Sequence, residues 1–225
     1  MSMLGVPRKP AARAAGAWYL AMIVTGAIGI LYVPMQIVDG GHAAIVGNLV
    51  AHADLVRLGI LASIVCQVSF LFLGLALCRL FAGTDDRQAR LMMTLITAAA
   101  PIAILNELFD VAALMLAPSP NQRELAITCF ALRQTGVAIA GFFWGLWLFP
   151  FGLLVIRSGF VPKLLGVLLL LGGVAYLADS SLALFAPALR AETSAFLMVP
   201  LAIGEVAMAV WLLARGWRFP KPGAW

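Results

Sequence analysis

Charge is what this sequence has least of. Lys and Arg number 15 and Asp and Glu 10 among 225 residues, 11% in all, where a soluble domain carries about 25%. So few charged side chains cannot cover a water-exposed surface. The 63% of hydrophobic residues and the mean hydropathy of +1.02 point to lipid as the solvent instead. Cysteine is scarce as well. Cys66, Cys78 and Cys129 all fall inside apolar runs, are odd in number, and show no CxxC or metal-type spacing. They read as small apolar core residues. The chain has no phosphate-binding loop, no Ser, His and Asp constellation, and no basic stripe interleaved with aromatics. Its net charge of +5 therefore does not indicate a nucleic-acid partner.

Long apolar runs are what it does have. A membrane-crossing helix needs about 20 mostly apolar residues. Six segments qualify: 16–38, 55–82, 91–117, 125–156, 164–186 and 196–214. The runs are continuous rather than alternating, which specifies helices and excludes a barrel. The predicted fold is an all-α transmembrane bundle of six spans, a single membrane domain over 1–225. Arg8, Lys9 and Arg13 precede the first run as in a secretion signal. The run from Ala17 to Val38 exceeds the roughly 7–15 residues of such a segment, so it reads as a retained span. Short polar turns at 83–90, 118–124, 157–163 and 187–195 connect the later spans. The stretch 39–54 is longer. Its Ile45, Val46, Leu49, Val50 and Ala53 have helical spacing and predict a short amphipathic helix at the membrane surface.

The basic residues set the orientation. The N-terminus, 83–90, 157–163 and the C-terminus, with the adjoining Arg79 and Arg215, hold eleven: Arg8, Lys9, Arg13, Arg79, Arg87, Arg90, Arg157, Lys163, Arg215, Arg218 and Lys221. Arg57, Arg123 and Arg190 lie toward the other side, and Arg133 sits inside a span. The positive-inside rule puts both termini in the cytoplasm, with Trp18 and Trp217 as interfacial anchors. Pro34, Pro101, Pro150 and Pro200 predict kinks. Gly141 and Gly145 form a GxxxG expected to pack against another helix.

Some polar residues stand where hydrocarbon should be. The third run carries Asn106, Glu107 and Asp110 on one helical face. The fourth carries Arg133 and Gln134, the fifth Asp179 with Ser180 and Ser181, and the sixth Glu205. Arg57 and Gln67 belong to the second. A charged side chain at the bilayer centre costs about 2.5–3.5 kcal/mol on insertion scales, so these groups should face the interior and meet one another. Counted from the outer ends of the runs, the five ionisable groups lie roughly 10–15 Å deep at 1.5 Å per residue. A common layer, forming a pocket open to the outer side, is the expectation. Four carboxylates against one arginine, or two if Arg57 reaches down, cannot easily all be ionised, so one acid should be protonated unless a cation is bound. Arg133 is the natural partner of Glu107 or Asp110. The candidate ligand-binding residues are thus Asn106, Glu107, Asp110, Arg133, Asp179, Glu205 and Arg57. His42 and His52 flank the short helix without a metal-site spacing and read as solvated.

Four stretches carry a family resemblance: RAAGAWYLAMIVTG (13–26), NLVAHADLVRLGI (48–60), FFWGLWLFPFGLLVIRSGFVPKLLGVLLLLGGVAYLADS (142–180) and GEVAMAVWLLARG (204–216). They resemble the bacterial membrane proteins grouped as domain of unknown function family 4386. The resemblance implies a multi-pass protein of the bacterial inner membrane and sets Asn48, Arg57, Asp179 and Glu205 in family-like motifs. It assigns them no chemistry and leaves any cofactor open.

Three functions fit these observations. An acidic pocket open to the outside could bind or transport a cation, a proton or a small amphipathic ligand. Six spans without an inverted repeat fall short of a standard transporter, a number that a homodimer would make up. Alternatively, one of the carboxylates could serve an enzyme acting on membrane lipid. A structural or sensory protein would use the polar layer only to order the bundle.

Overall fold

The computed structural model describes residues 8–215. Arg218, Lys221 and Trp217 lie outside the described residues. Those described are helical without any strand. The first span runs from α1 (Arg8–Gly26) through a π-helical turn (Ala27–Tyr32) into α2 (Val33–Val38). A 3-10 turn (His42–Ala44) and α3 (Ile45–Ala51) lead to the second span, α4 (Ala53–Leu80). The third is α5 (Asp86–Leu116). The fourth comprises α6 (Arg123–Leu146) and α7 (Leu148–Ser158), the fifth is α8 (Lys163–Phe185) and the sixth α9 (Pro187–Arg215). Six helical stretches are therefore long and apolar enough to cross a membrane.

The first and sixth spans meet where Gly16 faces Leu213. The turn before α5 lies at that same end, because Arg157 at the end of α7 donates to Asp85. This is the terminal end of the bundle, and α3 lies at the opposite, distal end. Gly40 and Gly41, at φ 79° and 80°, end the first span in a conformation that a side chain would strain. Asn48 on α3 then donates to the carbonyls of Ile37 (3.0 Å) and Asp39 (2.8 Å), satisfying acceptors that the helix end leaves free.

The region 187–195, expected as a polar turn, is helix. Only Ala186 separates α8 from α9. Pro187 opens α9, where a missing N–H is harmless and a fixed φ favours helix. Pro101 is accommodated inside unbroken α5, whereas α6 gives way to α7 three residues before Pro150.

Lipid is as apolar as a protein core, so close packing rather than water exclusion holds such helices together. The fourth and fifth spans show it. A Cβ on Gly145 would lie 3.0 Å from the Gly173 carbonyl, one on Gly152 2.8 Å from the Gly166 carbonyl, and one on Gly141 would collide with Ser180. Toward the terminal end, Trp147 stacks on Phe151 (5.2 Å) and takes Phe70 edge-on (5.0 Å), with Tyr19 beside them. Toward the distal end, Ile45, Val46 and Leu49 of α3 pack with Ile37, Val56, Ala113 and Phe130. Val50, assigned to the same apolar face, is half exposed.

Asp85 caps α5, accepting from the backbone N–H groups of Gln88 and Arg87, both at 3.1 Å. The Gln88 bond first, and then Arg157, holds its carboxyl below the usual aspartate range. A carboxylate favoured in the folded state stabilises it above that range, and the contribution fades as pH falls through the lowered value. The expected result is that Asp85→Ala melts below the wild type at neutral pH. The gap should close under acid, below about pH 4, in a thermal-unfolding series.

Candidate functional site

The charge centre starts from a backbone irregularity. Pro34 has no N–H to return to the helix, and the chain ahead of it widens into a π turn. Val33 N–H bonds the Ile28 carbonyl instead of that of Gly29. The released Gly29 carbonyl accepts from Arg133 Nη2 at 2.9 Å. Only glycine fits there. A Cβ would lie 2.6 Å from the Gly59 carbonyl and 2.7 Å from Ser63 N, and would collide with Ser63 Oγ.

Arg133 is fully buried, and the third span brings its acids to it. Asp110 Oδ2 is 3.2 Å from Arg133 Nε, an ion pair not aligned as a hydrogen bond. Glu107 Oε1 is 3.5 Å from Nη2. Asn106 Nδ2 donates to the Arg133 carbonyl at 2.8 Å, seated against Gly136, where any Cβ would strike its amide. Asn106, Glu107, Asp110 and Arg133 thus form one centre, between the two apolar cores. Glu107 Oε2, Asp110 Oδ1, Arg133 Nη1 and Gln67 Oε1 have no hydrogen-bond partner among the described residues.

The other expected members lie elsewhere. Arg57 does not reach down: it pairs with Asp54 at 2.6 Å, its side chain 67% exposed. Asp179 is held by Arg190, whose Nε reaches both carboxylate oxygens at 3.1 Å and whose Nη2 reaches Oδ2 at 2.9 Å. Glu205 accepts from the Tyr19 hydroxyl at 3.2 Å and has no ion pair among the described residues. Nor do the acids share one depth. Gly204 lies against Leu168, so Asp179 is eleven residues farther along α8, about 16 Å nearer the distal end at 1.5 Å per residue. The common-layer expectation placed the start of the sixth helix nine residues too late, and Glu205 too near the outer end.

Asp179, Arg190 and Glu205 line a slot of about 600 Å³. Its walls run from Met22 to Val38 on the first span and from Arg190 to Val206 on the sixth, about 24 Å on each at 1.5 Å per residue. The rest is mainly apolar, including Phe70, Trp144, Trp147 and Met198, with Gln67 and Gln134 among its polar groups. The π turn and α2 pack on the second span rather than the sixth. The two walls therefore diverge beyond Gly16 and Leu213, and Leu31, Met35 and Val206 line the slot while remaining exposed on the bundle's flank. Gln67 borders both the slot and a void of about 10 Å³ that touches Asn106 and Glu107. Among the described residues no three His, Cys, Asp or Glu gather as a metal-binding group, and His42 and His52 are exposed.

Arg190 gives no site signal in the sequence because 187–195 reads as a loop, whereas it lies in the first turn of α9. Tyr19 gives no sequence signal, since no spacing links it to Glu205, 186 residues away. Gly29 gives no signal, since its role depends on the π turn.

Six apolar crossings around a buried ionic centre define a multi-pass helical membrane protein. Residues 14–216 match the family described as Domain of unknown function (DUF4386), and the chain belongs to that family. No curated protein and no solved structure matches it.

Proposed function

We propose that this protein binds an amphipathic cation, taken up from the membrane between its first and sixth spans. The observation that carries the reading is the slot: about 600 Å³, mainly apolar, open on the bundle's flank, with Glu205 in its wall and no cation paired to it among the described residues. Its volume is that of a small-molecule site. Its length suits an extended hydrocarbon chain. Asp179 and Arg190 neutralise each other, so Glu205 leaves the walls acidic and selects an amine over an acid. Trp147, which lines the slot, stacks on Phe151 and lies beside Tyr19. Binding rather than free passage is what this conformation supports. The family resemblance supports a bacterial inner-membrane location, and the distribution of basic residues supports cytoplasmic termini, which turns the distal end outward.

Brominated single-chain amphiphiles test this, because bromine quenches nearby indoles and Trp144 and Trp147 line the slot. In nanodiscs an alkylammonium probe should quench saturably, and far better than the carboxylate of equal chain length. Trp144→Phe with Trp147→Phe should remove the saturable part. Glu205→Gln should weaken the ammonium probe by about tenfold, or 1.4 kcal/mol. Equal quenching by the two head groups, or quenching without saturation, would sink the reading.

A further inference from the structure

The centre around Arg133 is separate from the slot, and its charges do not balance. Two carboxylates, Glu107 and Asp110, face one guanidinium, and all three residues are at least 95% buried. The other polar groups that meet them are neutral: the Gly29 carbonyl from the first span, Ser63, the Cys66 thiol that donates to the Met22 carbonyl, and Gln67 from the second, and Asn106 from the third. Arg57, the other cation of the second span's distal half, is committed to Asp54. One negative charge is therefore left over in a medium where an uncompensated ion is strongly disfavoured.

Geometry says which acid is neutral. Arg133 directs Nη2 to the Gly29 carbonyl at 2.9 Å and Nε to Asp110 at 3.2 Å. Glu107 is left with the longest contact, 3.5 Å through Oε1. Its Oε2 makes no aligned hydrogen bond among the described residues, although the Ser63 hydroxyl faces the carboxyl, and Glu107 borders the void. A second, independent feature faces the same void. Gln67, 3% exposed, also borders it, and its Oε1 too has no partner among the described residues. A void of about 10 Å³ is at the threshold for one water, which needs two or more polar partners. Glu107 and Gln67 are two.

We propose that Glu107 carries one exchangeable proton on Oε2, and that a single water beside Gln67 relays it between this centre and the slot. The step is a plain proton transfer. The O–H bond of the Glu107 carboxyl breaks and the proton passes to this water, which gives one of its own to a solvent water in the slot that carries it away as hydronium. Glu107 remains as a carboxylate facing Arg133. This inference does not rest on the amphiphile reading, because it concerns the protein without added ligand.

The test is infrared spectroscopy of the full chain in nanodiscs, with glutamate labelled with ¹³C at its side-chain carboxyl. Glu124 and Glu192 are exposed, so in the Glu205→Gln protein Glu107 is the one labelled acid that is buried. The expected result is a labelled carboxylic-acid carbonyl band at neutral pH that shifts in deuterium oxide and fades in alkali. Adding Glu107→Gln should abolish it. Gln67→Leu should preserve the band but slow its deuterium shift severalfold. A Glu205→Gln protein without the band overturns the proposal, whether or not sodium stabilises it in place of the proton. A band that persists without Glu107 overturns it as well. If the double variant does not fold, titration and exchange of the band in Glu205→Gln decide the matter, and a band that does neither refutes the assignment. Unchanged exchange in Gln67→Leu overturns the relay.

Discussion

Arg133→Met is expected to be among the most damaging single substitutions in this protein. It leaves Glu107 and Asp110 facing each other without a cation and strips the Gly29 carbonyl of its donor. Removing one partner of a buried ion pair typically costs about 3–5 kcal/mol, because the remaining charge stays buried. Most of the protein should then fail to accumulate in membranes, and what remains should unfold at a much lower midpoint. The instructive comparison is the triple variant Glu107→Gln, Asp110→Asn, Arg133→Met. It removes every charge at once and should recover most of the loss, since a neutral replacement of a whole buried cluster is often tolerated. An Arg133→Met protein as stable as the wild type would mean that the centre is not held by its ionic contacts.

The second large effect is expected at Gly29. Alanine there places a methyl group 2.6 Å from the Gly59 carbonyl and 2.7 Å from Ser63 N. Backbone cannot move aside as a side-chain tip can, so the first two spans must separate. Overpacking of this kind costs about 1–3 kcal/mol, and the lost contact with Arg133 takes Gly29→Ala to the upper part of that range or beyond. Gly59→Ala is the matched control. Its new methyl would first meet the Val33 side chain, at 3.0 to 3.1 Å, where a shift of a few tenths of an ångström relieves the contact. Unfolding midpoints should therefore fall much further for Gly29→Ala than for Gly59→Ala. Equal falls would show that the close approach of the first two spans is not backbone-limited.

Much of this architecture was legible in the residues. Continuous apolar runs specify helices wherever the backbone must satisfy itself, and the six runs correspond to six helices. The centre was partly legible. Asn106, Glu107 and Asp110 share a face by spacing alone, and Arg133 is the one cation inside the run that follows. The sixth helix was misread at its start. Pro187, Arg190, Glu192 and Thr193 look like a turn, but a proline at the first position of a helix fits as readily as one that ends it. That error hid Arg190, the partner of Asp179, and placed Glu205 at the wrong height. The π turn was invisible because it is a property of hydrogen-bond pairing near Pro34, and residues 27–32 read as ordinary membrane helix.

That turn has a consequence for the phase of the first span. It takes up one residue more than a regular turn, so α2 is rotated by about 100° from where an unbroken helix would carry it. Tyr19 can thus lean on the sixth span while Val33 and Ile37 lean on the second span and α3. The first span behaves as two half-helices on one axis with different neighbours, and the gap where their allegiance changes is the slot. Deleting Ala27 or Ile28 would restore uniform winding and return the Val33 N–H to the Gly29 carbonyl four residues before it. Val33 and Ile37 would swing off the second span, and the Gly29 carbonyl would withdraw into its own helix. A single residue of length therefore sets both whether the slot exists and what Arg133 holds.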